Sequence, residues 1–373
     1  MPFLIGENDK VTKMDDREAR QTFERTLETD PEFFWPLKVE LIERALSGDN
    51  GNQRADLRLQ LSLDGTRQPC VVEIDSTSTP KSVERKTAQI REYLNRRNAA
   101  DCPALLIRYL SGGIAEVLKK RGMSALDLNG NYLVQTSKFA AVRLDQKNRF
   151  PRSRQIKNVY RGTSSLVGRF LLRKPDVFER VQDIHDGILE LGGDISLSTV
   201  SKALSGLDDD LLIHKERGEI RLTQPAELLS RLQSEYRQPK IQNEWRLKLP
   251  EDRAEQERWL TGMFGEESTW LWGGVTSAET RTSSPSDSVR YAYTRPFETI
   301  PDSLRERENR RFYNCIVQET DTDFVFFGRQ DHQADDVQCY LELANLQGDS
   351  RVAEIAETYR ENILTRFRGT SPT

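Results

Sequence analysis

Hydrophobic and polar positions change period several times along the chain. Residues 14–27 and again 33–46 carry apolar side chains at helical spacing, with Pro31 and Pro36 at the break, which predicts two helices. Ala55-Asp56-Leu57-Arg58-Leu59-Gln60-Leu61-Ser62-Leu63 then alternates with period two up to Asp64-Gly65, and Pro69-Cys70-Val71-Val72-Glu73-Ile74-Asp75 resumes the apolar run. That pattern predicts a strand, a tight turn and a second strand. A charged amphipathic helix follows over 82–94, a central strand over 104–110 and a short helix over 113–120. Residues 123–128 lead through Asn129-Gly130-Asn131 into Tyr132-Leu133-Val134, a hairpin that sets Asp127 at the domain rim as a structural residue. Asp127 to Asn is therefore expected to leave folding untouched. Strands alternating with helices predict an α/β domain over residues 1–150.

The next stretch is helical. Residues 166–172, 178–191 and 196–207 have helix periodicity, interrupted by Lys174-Pro175-Asp176 and Gly192-Gly193. Residues 211–222 predict two short strands around Gly218, and 226–236 a closing helix. Three helices followed by a two-stranded ribbon are the order of a winged helix-turn-helix, placed over 151–240. A third, α+β domain is expected over 241–373, with apolar strand-like runs at 312–318, 324–327 and 339–343 and a last helix over 351–367. Trp259, Trp270 and Trp272 read as core of that region.

Composition narrows the classes. The chain has 373 residues, 36% of them hydrophobic and 31% charged, with a net charge of -4, so it has no global basic excess. No apolar stretch approaches the roughly 18 residues that a membrane span needs, and the N-terminus lacks a signal-peptide apolar core. Cys70, Cys102, Cys315 and Cys339 lie far apart without a CxxC, which predicts reduced thiols in a cytoplasmic protein. His185, His214 and His332 share no ligand spacing, which argues against zinc or haem. Charge is nonetheless uneven. Between Lys138 and Lys174 eleven basic residues face a single acid, Asp145.

Two constellations carry chemistry. The basic stretch directly precedes the helices, and Ser198, Thr199, Ser201 and Lys202 line the polar side of the third helix, with Leu197, Val200, Ala203 and Leu204 expected inward. With Arg152, Arg154, Lys157 and Arg161 on the arm and Lys215, Arg217 and Arg221 on the ribbon, this predicts a face for double-stranded DNA. Asp208-Asp209-Asp210 would repel a phosphate backbone laid beside it. In the first domain, Asp56 and the pair Glu73 and Asp75 supply acids on neighbouring strands that could hold Mg²⁺, as in a metal-dependent nuclease. The place two residues after Glu73, where such a site carries a lysine, holds Asp75. Lys86 or Lys81 replaces it only if the following helix turns that side chain toward the acids. A solvated rim with a structural Glu73/Lys86 pair is the plainer reading of the same residues.

Several segments in this order resemble a known family. They are Val71-Val72-Glu73-Ile74-Asp75 with Lys86-Thr87-Ala88-Gln89-Ile90-Arg91-Glu92-Tyr93-Leu94, the segment 122–131, the helix over 196–207 with its ribbon, and Val337-Gln338-Cys339-Tyr340-Leu341-Glu342-Leu343. The chain resembles the winged-helix transcriptional regulators that form the antitoxin component of type IV abortive-infection toxin–antitoxin systems, in their larger form with a restriction-endonuclease-like N-terminal domain. The resemblance implies a DNA-binding, autorepressing protein with a role in phage defence and a cognate toxin as partner. It also implies a C-terminal domain for regulation or partner contact. A palindromic operator would add a second copy of the chain. It implies a nuclease-like domain that does not cut, with Asp75 in place of the lysine as the departure. The alternatives are an active Mg²⁺-dependent endonuclease using Asp56, Glu73, Asp75 and Lys86, delivered to its site by the winged helix, and a protein-interaction module in a phage-defence or toxin-neutralising role with no essential DNA contact.

Overall fold

The computed structural model describes residues 14–46, 55–97, 100–150, 158–264, 270–282, 289–298, 301–309, 311–346 and 350–368. The chain divides into two compact units, Met1–Gln155 and Ile156–Thr373.

The first unit runs α1 (Asp16–Thr29), β1 (Lys38–Leu46), β2 (Ala55–Leu63), β3 (Thr66–Asp75), α2 (Pro80–Arg97), β4 (Cys102–Ile107), α3 (Gly112–Lys120), β5 (Ser124–Asp127), β6 (Tyr132–Gln135) and β7 (Ala140–Arg143). Its strands form one seven-stranded sheet in chain order. β1, β2 and β3 are antiparallel, β4 and β5 continue parallel through the crossovers α2 and α3, and β6 and β7 turn antiparallel again. The period-two stretch behaves as its pattern dictates: Leu57, Leu59 and Leu61 are fully buried while Asp56, Arg58 and Gln60 stay half-exposed. Those leucines pack with Ala19 and Phe23 of α1 on one face of the sheet. On the other face Val71, Leu105 and Ala125 pack under Val83, Ile90 and Tyr93 of α2 and Leu118 of α3. β3 and β4 are covered on both sides, so they read as continuous apolar runs.

Two expectations need correction here. Residues 38–46 are a strand, where a helix was expected over 33–46. The register slips between Leu41 and Glu43, and this bulge breaks the period-two signal that would have marked the strand. Cys70 and Cys102 are disulfide-bonded, with Cα atoms 4.4 Å apart, because they stand directly opposite each other on β3 and β4. Cys315 and Cys339 are buried. Cysteine usage therefore no longer argues for a reducing compartment. Among the described residues no helix is long and apolar enough to cross a membrane.

The second unit begins with α4 (Ser165–Arg173), α5 (Val181–Glu190), α6 (Leu197–Asp209), β8 (Ile213–Glu216), β9 (Glu219–Leu222) and α7 (Pro225–Glu235). β8 and β9 form an antiparallel ribbon, and Phe178 bridges to Ile220 on its flank. There follow β10 (Asn243–Leu247), α8 (Arg253–Phe264), β11 (Trp270–Trp272), α9 (Gly274–Thr282), β12 (Arg290–Thr294), α10 (Asp302–Arg307), β13 (Cys315–Glu319), α11 (Asp336–Leu343) and α12 (Ser350–Thr365). Their strands pair in the order β10-β13-β12-β11. The chain thus holds a mixed α/β sheet unit, a helical middle region and a mixed α+β C-terminal region.

The helical region and the C-terminal region share a core. Leu166, Phe170, Val200 and Leu228 from the helical region pack in one cluster with Leu271, Phe327, Tyr340 and Ile363. Arg169 of α4 is 2% exposed and donates from Nη1 to the Gln338 side chain on α11 at 2.7 Å, with its guanidinium over the Phe324 ring. Residues 339–343 belong to the helix α11 and 323–325 to a single 3-10 turn, where strands were expected. Both runs are apolar all round because they are buried all round, which hides their period. Trp270 and Trp272 are fully buried, as core.

Candidate functional site

The chemistry-bearing residues of the first unit gather at the C-terminal end of β3. Leu57 pairs with Val72, so Asp56 comes beside Glu73 one step nearer that end, and its Oδ2 accepts the Ile74 N–H at 2.8 Å. Glu73 is 1% exposed. On α2, Val83, Thr87, Ile90 and Leu94 face the sheet, and Lys86 flanks that stripe, three residues after Val83 and four before Ile90. Its Nζ reaches Glu73 Oε2 at 3.1 Å and stands 3.8 Å from Asp16 Oδ2. Asp16, in the first turn of α1, also accepts the Ser76 N–H at 2.9 Å, which fixes α1 over the end of β3. Glu73 Oε1 is buried without a hydrogen-bond partner among the described residues.

Burial, and after it the Asp56 carboxylate, push the Glu73 carboxyl up to about 7 against the pull of Lys86. For Lys86, burial works to lower the pKa, but the Glu73 carboxylate overrides it and the ammonium ends above its ordinary value. The pair is therefore a held lysine beside an acid that gives up its proton reluctantly.

Asp75 does not join this group. β3 ends there, and the chain turns back over its side chain. Its Oδ1 accepts the N–H groups of Thr77 and Ser78, at 3.0 and 3.2 Å, and its Oδ2 accepts the Ser82 hydroxyl. With Thr79 and Ser82 bonded reciprocally at 3.0 and 3.2 Å, Asp75 anchors the start of α2. Period-two alternation put Glu73 and Asp75 on one face, but the turn after the strand spends the second carboxylate. Among the described residues no three His, Cys, Asp or Glu side chains form a group that could hold a metal ion, so the trio Asp56, Glu73 and Asp75 is not assembled. Asp16 was missed in the sequence. Its only signal is a first-turn acid beside the Asp15–Glu18 capping box, which is ordinary helix chemistry.

Asp127 also differs from its expected rim position. It is fully buried. Its Oδ1 accepts the Asn129 and Asn131 N–H groups at 2.7 and 2.8 Å, and its Oδ2 accepts the Leu110 N–H at 2.9 Å and the Asn131 amide at 2.8 Å.

In the second unit α6 starts at Leu197 with Ser196 as its N-cap, and Val200, Ala203, Leu204 and Leu207 are buried. Leu197 was expected inward, but it stands 42% exposed because the helix begins there, before its buried stripe. Ser198 and Lys202 are exposed, and Thr199 and Ser201 are half-buried. Lys215 on β8 donates to the Ser205 hydroxyl at 3.2 Å, which brings the ribbon onto the polar side of α6. Arg217 is exposed at the ribbon turn, beside Gly218 at φ 82°. Other basic residues are committed elsewhere. Arg161 pairs with Glu235, and Arg221 pairs with Glu219 at 2.9 Å. Arg143 donates to the carbonyls of Trp35 and Phe33, at 2.7 and 2.6 Å. Asp210 of the acidic triplet is taken by Arg231, at 3.0 Å, and by the Tyr160 hydroxyl. Arg152, Arg154 and Lys157 lie outside the described residues.

No family model matches the chain, and no curated protein matches it. Among solved structures, a repair endonuclease from Pyrococcus abyssi aligns over 31% of this chain and 48% of its own, at 16% identity and a TM-score of 0.23. The chain thus spans about half the length of that endonuclease. A likeness of that size carries nothing about fold or function. The resemblance to antitoxin regulators rests on its motifs alone.

Proposed function

We propose that the protein is a Mg²⁺-dependent DNA endonuclease whose first unit carries the cutting site and whose second unit holds the duplex. The observation that supports cutting is the reach of Lys86 from α2 to Glu73, beside Asp56. A lysine two residues after Glu73 is absent, and Lys86 supplies the same charge from the helix, so Asp75 is free for its structural role.

The residues present fit a divalent cation. Asp56 and Glu73 would hold it, since carboxylate oxygens are the ligands Mg²⁺ takes, and the unpartnered Glu73 Oε1 is an oxygen in want of such a neighbour. Bound there, the cation would supply Lewis acidity at a phosphodiester oxygen and acidify a bound water. Lys86 is placed to stabilise the charge that develops as water oxygen joins phosphorus and the bond to the leaving sugar oxygen breaks. Asp16 holds Lys86 from the solvent side.

The second unit is read as a winged helix-turn-helix. Its support is the order α4, α5, α6, β8, β9 with the Phe178–Ile220 bridge on the ribbon flank, and the cations Lys202, Lys215 and Arg217. An autorepressing antitoxin would need this duplex contact and no cutting, so cutting separates the two readings.

The test uses the full chain on supercoiled plasmid with Mg²⁺ or Mn²⁺. Nicking is expected, lost with chelator, lost in Glu73→Ala and reduced about a hundredfold or more in Lys86→Ala. A chain that cuts in neither metal, or a Lys86→Ala variant as fast as the parent, overturns the endonuclease in favour of the regulator.

A further inference from the structure

Arg169 carries its charge into the core of the second unit without an acid to meet it. It is 2% exposed, and its Nη1 is spent on neutral groups, Gln338 Oε1 at 2.7 Å and the Phe324 carbonyl at 3.3 Å. Neither Nε nor Nη2 has an acceptor among the described residues. The acids that act on the guanidinium are held elsewhere. Asp335 lies 3.9 Å from Arg173, while Glu342 takes the Gln338 amide at 2.6 Å and the Gly274 N–H at 2.7 Å. A charge withdrawn from water is costly unless it is paired, and buried donors without acceptors are rare, so such a group calls for a bound ion or water.

The structure provides the room. Arg169 forms part of the wall of a cavity of about 30 Å³, together with Tyr236, Phe324 and Leu341. Tyr236 is 7% exposed, and its hydroxyl oxygen accepts the Gln338 amide at 3.2 Å, which leaves the hydroxyl proton to be donated. Arg161, Glu235 and Arg237 also line the cavity. Glu235 is the one acid of this lining among the described residues, and Arg161 neutralises it. Arg237 gives its Nη1 to the Tyr236 carbonyl at 3.0 Å, so the positive charges of Arg169 and Arg237 remain in excess. A space of this size takes one or two water-sized bodies and is too small for a phosphate or sulfate group. We propose that the cavity is a site for a monatomic anion, chloride in the first place, held by the Arg169 guanidinium and the Tyr236 hydroxyl as the counter-charge of this core. The ion would tie α4 and the end of α7 to Phe324 and Leu341 of the C-terminal region. The inference stands on the second unit alone and is independent of whether the protein cuts or binds DNA.

The test unfolds the full chain in urea at fixed ionic strength while gluconate, too bulky for the cavity, is replaced by chloride. A site filled only in the folded state should lower the unfolding constant about tenfold for each tenfold rise in chloride above its dissociation constant. Arg169→Met should remove that response. Phosphate strengthens burial in proteins generally, so it should move parent and variant alike. A parent indifferent to chloride overturns the inference, as does a chloride response that Arg169→Met retains in full. A phosphate response confined to the parent overturns the monatomic assignment in favour of an oxyanion. Crystals of the parent soaked in bromide give an answer without any variant. An anomalous peak beside Arg169 and Tyr236 is expected, and water alone at that place sinks the proposal.

Discussion

Asp127 accepts four hydrogen bonds through a carboxylate that solvent does not reach. An asparagine there would turn an amide NH₂ toward donors, and each buried donor left unsatisfied costs about 1–3 kcal/mol. Asp127→Asn is thus expected to lower unfolding stability by about 2 kcal/mol or more, read as an earlier midpoint in urea; an unchanged midpoint would refute it. Gly130 in the same turn has φ 97°, and a Cβ there would lie 2.9 Å from the Arg143 guanidinium and 3.2 Å from the Phe33 carbonyl, so Gly130→Val should cost stability as well. A second buried acid gives a pH dependence. Burial pushes the Glu342 carboxyl from its ordinary 4.5 up to about 7, against hydrogen bonds from Gln338 and the Gly274 N–H. The folded state then holds that proton more tightly than the unfolded chain does. Its favourable contribution is complete below about pH 4.5 and is lost as pH rises through about 7, a change of roughly 3 kcal/mol. Glu342→Gln should flatten the decline in stability between pH 5 and 8. An identical pH profile in parent and variant would show that Glu342 does not titrate there.

At the scale of elements, α2 and the α6–ribbon pair each place a cation by helical geometry. Lys86 lies on the flank of the stripe Val83–Thr87–Ile90–Leu94, and that spacing, once the strand before it is known, turns the side chain toward Glu73. The same argument predicts that Lys202, Lys215 and Arg217 act together on one side of the second unit. Replacing the three by Ala should weaken duplex binding and reduce its dependence on salt, because each phosphate that is no longer neutralised removes a slope of about 0.9. Affinity titrations at several salt concentrations measure this, and an unchanged slope would show that the three neutralise no phosphates. Arg161 and Arg221 are expected to matter less, since Glu235 and Glu219 already neutralise them.

At the scale of the molecule, the second unit behaves as one body from Ile156 onward. A fragment of residues 156–240 would expose Leu166 and Phe170 and strand Arg169 without Gln338, so it should not unfold cooperatively, whereas 156–373 should. Calorimetry of the two fragments decides between one shared core and two separate ones. The sequence by itself determined most of the local order: the alternation of β2, the turn at Asn129-Gly130-Asn131, the three helices and the ribbon, and the acids Asp56 and Glu73 with Lys86 as a conditional partner. These are written in periods of two and 3.6 and in turn residues, which are local signals. Only the tertiary structure decided the rest, because each remaining point depends on residues far apart in the chain. Pairing with β2, across a bulge that hides its period, made 38–46 a strand, and facing strands joined Cys70 to Cys102. Closure of the turn after β3 withdrew Asp75 from the site while α1 and α2 delivered Asp16 and Lys86 to Glu73. Burial on every side erased the period of α11 and set the helical and C-terminal regions around one core, since a residue enclosed all round carries no pattern that says which neighbour encloses it.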